Sequence, residues 1–168
     1  MDTFFEQIVA IRKSTKTIFL FVLVWLIAIF ICAFFFLTGL LGSFILFLVC
    51  GVFYGAYKIS TLMNVEYEYI ITNGTLDIDK IINKSSRKRM LSIELSTVSR
   101  IEKYNPVAVS KLDSKRLTIA CNLSDDAYLL VSEKEGKGVN YLVFAPEERL
   151  RGAMIKFMPR FVSNSAFK

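Results

Sequence analysis

No histidine occurs among the 168 residues. The commonest general base and the commonest zinc ligand are therefore missing from any chemistry the chain could support. Cysteine appears three times, too sparsely for a disulfide framework: Cys32 and Cys50 fall in an apolar run and Cys121 in an expected strand. The three prolines are Pro106, Pro146 and Pro159, so none interrupts a helix or strand in the first hundred residues. Charge is absent altogether between Lys16 and Lys58. No glycine-rich phosphate loop follows a strand, no serine-centred nucleophile elbow occurs, and Cys121 has no histidine to activate it. The sequence does not read as an enzyme, and no cofactor or metal is expected.

What is present begins with that uncharged stretch, Thr17 to Tyr57. A single helix of this length would extend about 60 Å, roughly twice the hydrocarbon core of a bilayer. It must fold back on itself, and Thr38-Gly39-Leu40-Leu41-Gly42-Ser43 supplies the bend. We expect a two-helix transmembrane hairpin over residues 17–62, with crossings at Ile18–Leu37 and from Phe44 to Leu62. Neither crossing has the polar face of a soluble amphipathic helix, and neither carries an ionisable group of the kind that marks a transport path. Arg12, Lys13 and Lys16 precede the hairpin and Lys58 closes it, so the positive-inside rule places both termini in the cytoplasm. In the second crossing Gly51 and Gly55 have the spacing of a close helix-packing face, open either to the first crossing or to a second copy.

Residues 1–16 read as an amphipathic helix. Phe4, Phe5, Ile8, Val9 and Ile11 share an arc, with a Thr3-x-x-Glu6 capping box; the expected resting place is the membrane surface, the alternative a cytoplasmic lead-in packed on the soluble domain. From Val65 the period changes to two. Val65–Tyr69 alternates, Asn73-Gly74 supplies a hairpin turn, and Thr75–Ile82 follows. Arg87–Leu95, Val98–Tyr104, Arg116–Cys121, Ala127–Ser132 and Asn140–Phe144 complete about seven short antiparallel strands. Ser124–Asp126 and Lys134–Gly138 read as turns. A C-terminal helix opens at Pro146, presents Leu150, Ala153, Met154 and Phe157 on one face, and stops at Pro159. Residues 65–168 are thus one cytoplasmic domain, a mainly-β barrel closed by a C-terminal α-helix.

Charge is unevenly spread over that domain. Ten basic and three acidic residues lie between Lys80 and Arg116, an excess of seven where the whole chain has six. Lys80, Lys84, Arg87, Lys88 and Arg89 crowd the junction of the second and third strands, where anionic lipid or a protein partner would meet them. As exposed charges they are expected to add little to stability. Nucleic acid is a poorer candidate, since the patch lacks interleaved aromatics. Asp77 and Asp79 share a strand face and could hold a cation, but paired carboxylates at that spacing usually mark a solvent-facing edge. Asp125-Asp126 lies in a turn.

The run Val65-Glu-Tyr-Glu-Tyr-Ile-Ile-Thr-Asn-Gly-Thr-Leu-Asp-Ile-Asp-Lys-Ile-Ile, the basic Arg87-Lys88-Arg89, the opening Met1–Val9 and the closing Phe144-x-Pro146 carry a resemblance. They resemble a family of small bacterial two-helix membrane proteins with a pleckstrin-homology-like (PH-like) cytoplasmic domain, to which no activity is attached. The resemblance implies a PH-like fold and a place in the bacterial cell membrane; it carries over no catalytic residues. Two functions follow as expectations. The chain is a membrane-anchored interaction module that contacts a protein partner or anionic lipid. Alternatively, it is an accessory subunit whose hairpin packs against a larger membrane protein or forms a homo-oligomer.

Overall fold

The computed structural model describes residues 4–123, 126–134 and 138–167. The chain forms two compact units: a helical one, Arg12–Val65, and a sheet unit that holds the first strand and the chain from Glu66 onward.

The helical unit is a hairpin of two apolar helices. Helix α1 runs Thr15–Thr38 and helix α2 Ile45–Leu62, joined through a 3₁₀ turn at Gly42–Phe44. Gly39 and Gly42 both adopt positive φ, 62° and 48°, which a side chain would oppose. Both helices are long and apolar enough to cross a membrane, and only 6% and 11% of their apolar windows are buried. A helix of a soluble core would be covered instead. The two helices are tied by one polar contact within their interface. Trp25 Nε1 donates to Ser60 Oγ at 3.1 Å, and that hydroxyl donates to the Ala56 carbonyl at 2.8 Å. Trp25 also meets Phe53 edge-on, with ring centroids 5.9 Å apart.

The N-terminal segment is not a helix. Phe4–Ala10 is a strand, β1, antiparallel to β2 (Val65–Thr72), with Phe4 opposite Thr72 and Ala10 opposite Glu66. Seven residues with apolar groups at positions 4, 5, 8 and 9 satisfy a helical arc and a two-residue alternation equally well. The β2 edge decides between them: Phe5 and Val9 turn onto the core, while Phe4 and Ile8 remain exposed. The capping Thr3 lies outside the described residues. The hairpin of two apolar helices is consequently an insertion between two neighbouring strands of one sheet. Its linkers are short, residues 11–14 and 63–64.

After β2 come β3 (Thr75–Ile82), β4 (Ser86–Glu94), β5 (Val98–Lys103), β6 (Leu117–Ile119), β7 (Tyr128–Lys134) and β8 (Gly138–Phe144). Asn73 and Gly74 have φ of 48° and 87°, as the hairpin turn requires. The strands form two four-stranded sheets, in the orders β1-β2-β3-β4 and β5-β7-β8-β6. This departs from the expected barrel in three ways. The described strands number eight, the sheets do not close on each other, and β6 pairs in parallel with β8. Asn105-Pro106 starts helix α3 (Pro106–Val109), the Asn105 side chain accepting from the Val107 and Ala108 amides. The turns at Ser124-Asp125 and 135–137 lie outside the described residues.

Helix α4 (Glu148–Ile155) begins two residues after Pro146 rather than on it, and a short helix α5 (Arg160–Ser163) follows Pro159. Leu150, Ala153 and Met154 enter one buried cluster with Ile71, Leu76 and Ile78 from the first sheet and Leu130, Leu142 and Phe144 from the second. Tyr69 bridges the sheets: its hydroxyl donates to the Ala120 carbonyl at 2.6 Å and accepts from the Ala145 amide at 3.3 Å. Burial pushes that hydroxyl well above the ordinary tyrosine pKa, so it stays protonated and donating.

Candidate functional site

The β3–β4 hairpin carries all five basic residues singled out from the sequence, and its register sorts them into two groups. An extra residue in β4, Met90, shifts the pairing between Ile78 and Asp79, so that Asp79 stands opposite Arg89. Arg89 then spans both carboxylates of β3. Its Nε donates to Asp79 Oδ1 at 2.5 Å and its Nη1 to Asp77 Oδ2 at 2.6 Å, while Ser92 Oγ supplies Asp77 Oδ1. The cation that Asp77 and Asp79 share is this guanidinium, and the two carboxylates in turn raise the Arg89 pKa. Two strands away, Arg87 Nη1 lies 3.1 Å from the carboxylate of Glu68 on β2.

The lysines are arranged differently. Lys80 and Lys88 are directly opposite each other across the ladder, which places both side chains on one side of the sheet. Like charges in that relation repel. Lys84 occupies the turn with φ 56°, next to Asn83 at 51°, a backbone state that a lysine adopts at a cost. No described acidic group forms an ion pair with Lys80, Lys84 or Lys88. The hairpin therefore ends in three uncommitted ammonium groups, while its two arginines serve the sheet.

The family model described as "Bacterial PH-like domain (DUF6106)" matches residues 1–164. The chain belongs to that family. No curated protein and no solved structure matches it. The match takes in the N-terminal strand and both helices, so the inserted hairpin lies within the stretch that the family model spans. The description gives a fold and no activity.

Other candidates resolve as follows. Cys121 is buried, and burial pushes its thiol up to about 11, so it is not a ready nucleophile. Among the described residues no group of three or more potential ligands is placed to hold a metal ion; Asp125 lies outside them. A Cβ added at Gly51 or Gly55 would meet no atom within 4 Å, so the contact of α1 with α2 does not run through these glycines. Ala28 and Ala56 are the alanines buried between the helices instead.

Sequence reasoning missed Glu68. Its side chain is fully enclosed, and neither carboxylate oxygen accepts a hydrogen bond of sound geometry. The only available signal was its place in the alternating Val65–Tyr69 run, which reads as an ordinary solvent-facing glutamate.

Proposed function

We infer that the protein is a membrane-anchored, non-enzymatic interaction module. The α1–α2 hairpin holds it in the bacterial cell membrane with both termini in the cytoplasm. The PH-like unit, tethered on both sides of the insertion, presents Lys80, Lys84 and Lys88 to anionic lipid at the inner surface. The observation that carries this reading is the set of three ammonium groups, left without acidic partners at one hairpin end although carboxylates nearby engage both arginines. Each lysine close to an anionic surface contributes about 1 kcal/mol, enough in sum to bias which face of the domain meets the bilayer.

Full-length protein in nanodiscs provides the test. Amide exchange in residues 80–88 should slow in anionic discs relative to neutral ones, and the difference should shrink as salt rises. Substituting Lys80, Lys84 and Lys88 together with Ser should abolish the difference. Equal exchange in both disc types at low salt would sink the lipid reading. Topology has its own check. In intact cells an impermeant thiol reagent should label Ser43→Cys from outside and leave Ser110→Cys unmodified.

The open glycine face supports a second reading, in which the hairpin docks on a larger membrane protein or on a second copy. Replacing the hairpin with an unrelated one separates the two: an interaction module keeps its function after the exchange, and an intramembrane subunit loses it.

A further inference from the structure

The sheet unit has two ends, and separate features meet at one of them. Ala10 and Glu66 pair where the chain passes to and from the helices. β2 reverses into β3 through Asn73-Gly74, so the β3–β4 turn with Lys84 lies at that same end. In the second sheet Lys103 stands opposite Tyr128, Tyr128 opposite Phe144, and β6 runs parallel to β8. One end of that sheet therefore gathers α3, which follows β5, and residues 120–123, which follow β6. Val109, Cys121 and Ala127 pack together there. Asn122 Nδ2 donates to the Ala10 carbonyl at 3.1 Å and so joins this end to the point where the chain departs.

Two aliphatic side chains are left uncovered at the joined end. Leu123, next to the Asn122 clamp, is 54% exposed, and Val107 on α3 is 65% exposed. The opposite end differs in kind: Thr75, Ser92, Glu94, Thr97, Ser132 and Asn140 line a polar recess of about 400 Å³. Single exposed aliphatics are ordinary on a protein surface. What distinguishes these two is the length of the tethers beside them. Five residue steps separate Ala10 from Thr15 and three separate Leu62 from Val65. Fully extended, those steps reach at most about 17 Å and about 10 Å. The headgroup layer is itself roughly 5–7 Å deep on each side of a bilayer.

We propose that, with α1–α2 in the membrane as inferred above, this end of the sheet unit is a bilayer-contact face on which Leu123 and Val107 enter the headgroup layer. A surface tethered twice at such short range needs little affinity of its own, because its effective concentration at the bilayer is high. The contact is apolar and so does not weaken as salt screens the lysines. Asp125 and Asp126 follow Leu123 in the chain. This part of the face consequently gains nothing from anionic lipid and meets neutral headgroups equally well.

The test uses the full-length protein in nanodiscs of neutral phosphatidylcholine, where the lysines contribute little. The photoreactive residue p-benzoylphenylalanine replaces Leu123, Val107 or, as a control, the exposed Ser96 in the 3₁₀ turn at the opposite end. After irradiation, mass spectrometry should find lipid adducts at positions 123 and 107 at least about tenfold above position 96. Adding anionic lipid should not raise the yield at 123. In the unsubstituted protein, lipids that carry a nitroxide should broaden the methyl signals of Leu123 and Val107, and this measurement decides if a substitution perturbs the fold. Yields no higher than at 96, methyl signals indifferent to the nitroxide, or adducts to a second copy in place of lipid would each overturn the proposal. If Ser43→Cys still labels from outside, the hairpin reading survives that result and only the contact face falls; loss of the label removes both.

Discussion

A carboxyl group enclosed without a well-aligned donor holds its proton more tightly, because its charged form has lost water that nothing replaces. Glu68 is in this position. Burial is the main cause of its raised pKa; the carboxyl of Glu6, diagonally across on β1, adds to it, Arg87 on β4 opposes it, and Asp79 on β3 adds a smaller repulsion. The cover is shallow, since the Arg87 side chain is 61% exposed. The sign of the linkage follows. A folded pKa above the unfolded one contributes stability that is complete below the unfolded pKa and lost as pH rises through the folded one. Glu68→Gln, which cannot ionise, should therefore be more stable than the natural protein at neutral pH. The gap should close as pH falls toward the ordinary glutamate range in melts run at several pH values; a gap constant with pH would discard this account. Arg89 makes the converse case. Taken as an exposed charge it should be dispensable, but Asp79 behind it is only 8% exposed. Arg89→Gln leaves two carboxylates facing each other and should cost about 1–3 kcal/mol, between the surface and buried limits for an ion pair. Lys88→Gln, one residue away, should cost almost nothing. Chemical denaturation of the two variants gives the comparison.

Among the elements, those legible in the sequence are the ones whose own pattern admits a single solution. The two long apolar helices have no polar face to confuse their period, and Asn73-Gly74 fits few backbones other than a tight hairpin. β1 was illegible because its seven residues suit either period, and only the β2 edge, more than fifty residues away in sequence, resolves them. β6 is too short to alternate, and its parallel pairing depends on where β8 arrives. The Met90 bulge, which aims Arg89 at Asp79, has no local marker such as glycine. The basic cluster was visible as composition; its division into engaged arginines and free lysines needed the register. Of the expected C-terminal helix face, Leu150, Ala153 and Met154 lie buried on α4, but the helix ends at Ile155, before Phe157. Met154 is wholly buried, whereas Phe157 lies beyond the helix, half covered, against the turn at Gly74. Met154→Ala should cost about 2–5 kcal/mol, and Phe157→Ala less than the 3–5 kcal/mol typical of a fully buried phenylalanine. Both losses are measurable against a stability of about 5–15 kcal/mol for a small domain. A larger loss at Phe157 than at Met154 would contradict this ranking.

At the scale of the whole molecule, the order of elements sets what can be removed. An antiparallel strand pair is ordinarily joined by a short turn; here the β1–β2 connection has been expanded into two apolar helices. The chain leaves the sheet at Ala10 and returns at Val65, neighbouring positions on one end of the ladder, since Ala10 pairs with Glu66. Loop length adds only slowly to the cost of closure, so a long insertion between paired strands is thermodynamically tolerable. The sheet unit should accordingly survive replacement of residues 11–64 by a short flexible turn. A chain that simply begins at Val65 should not: it lacks β1, uncovers the β2 edge with Tyr67, Tyr69 and Ile71 behind it, and removes Gln7, whose amide donates to the Ala145 carbonyl and accepts from the Glu147 amide. That pair of bonds anchors the approach to α4, so the truncated chain loses an edge strand and a helix support at once. Circular dichroism and size exclusion distinguish the outcomes. The turn-replaced chain should be monomeric and melt cooperatively, and the Val65 chain should aggregate or melt without a sharp transition. Cooperative, monomeric folding of the Val65 chain would show that β1 is an accessory to the sheet rather than part of its structural unit.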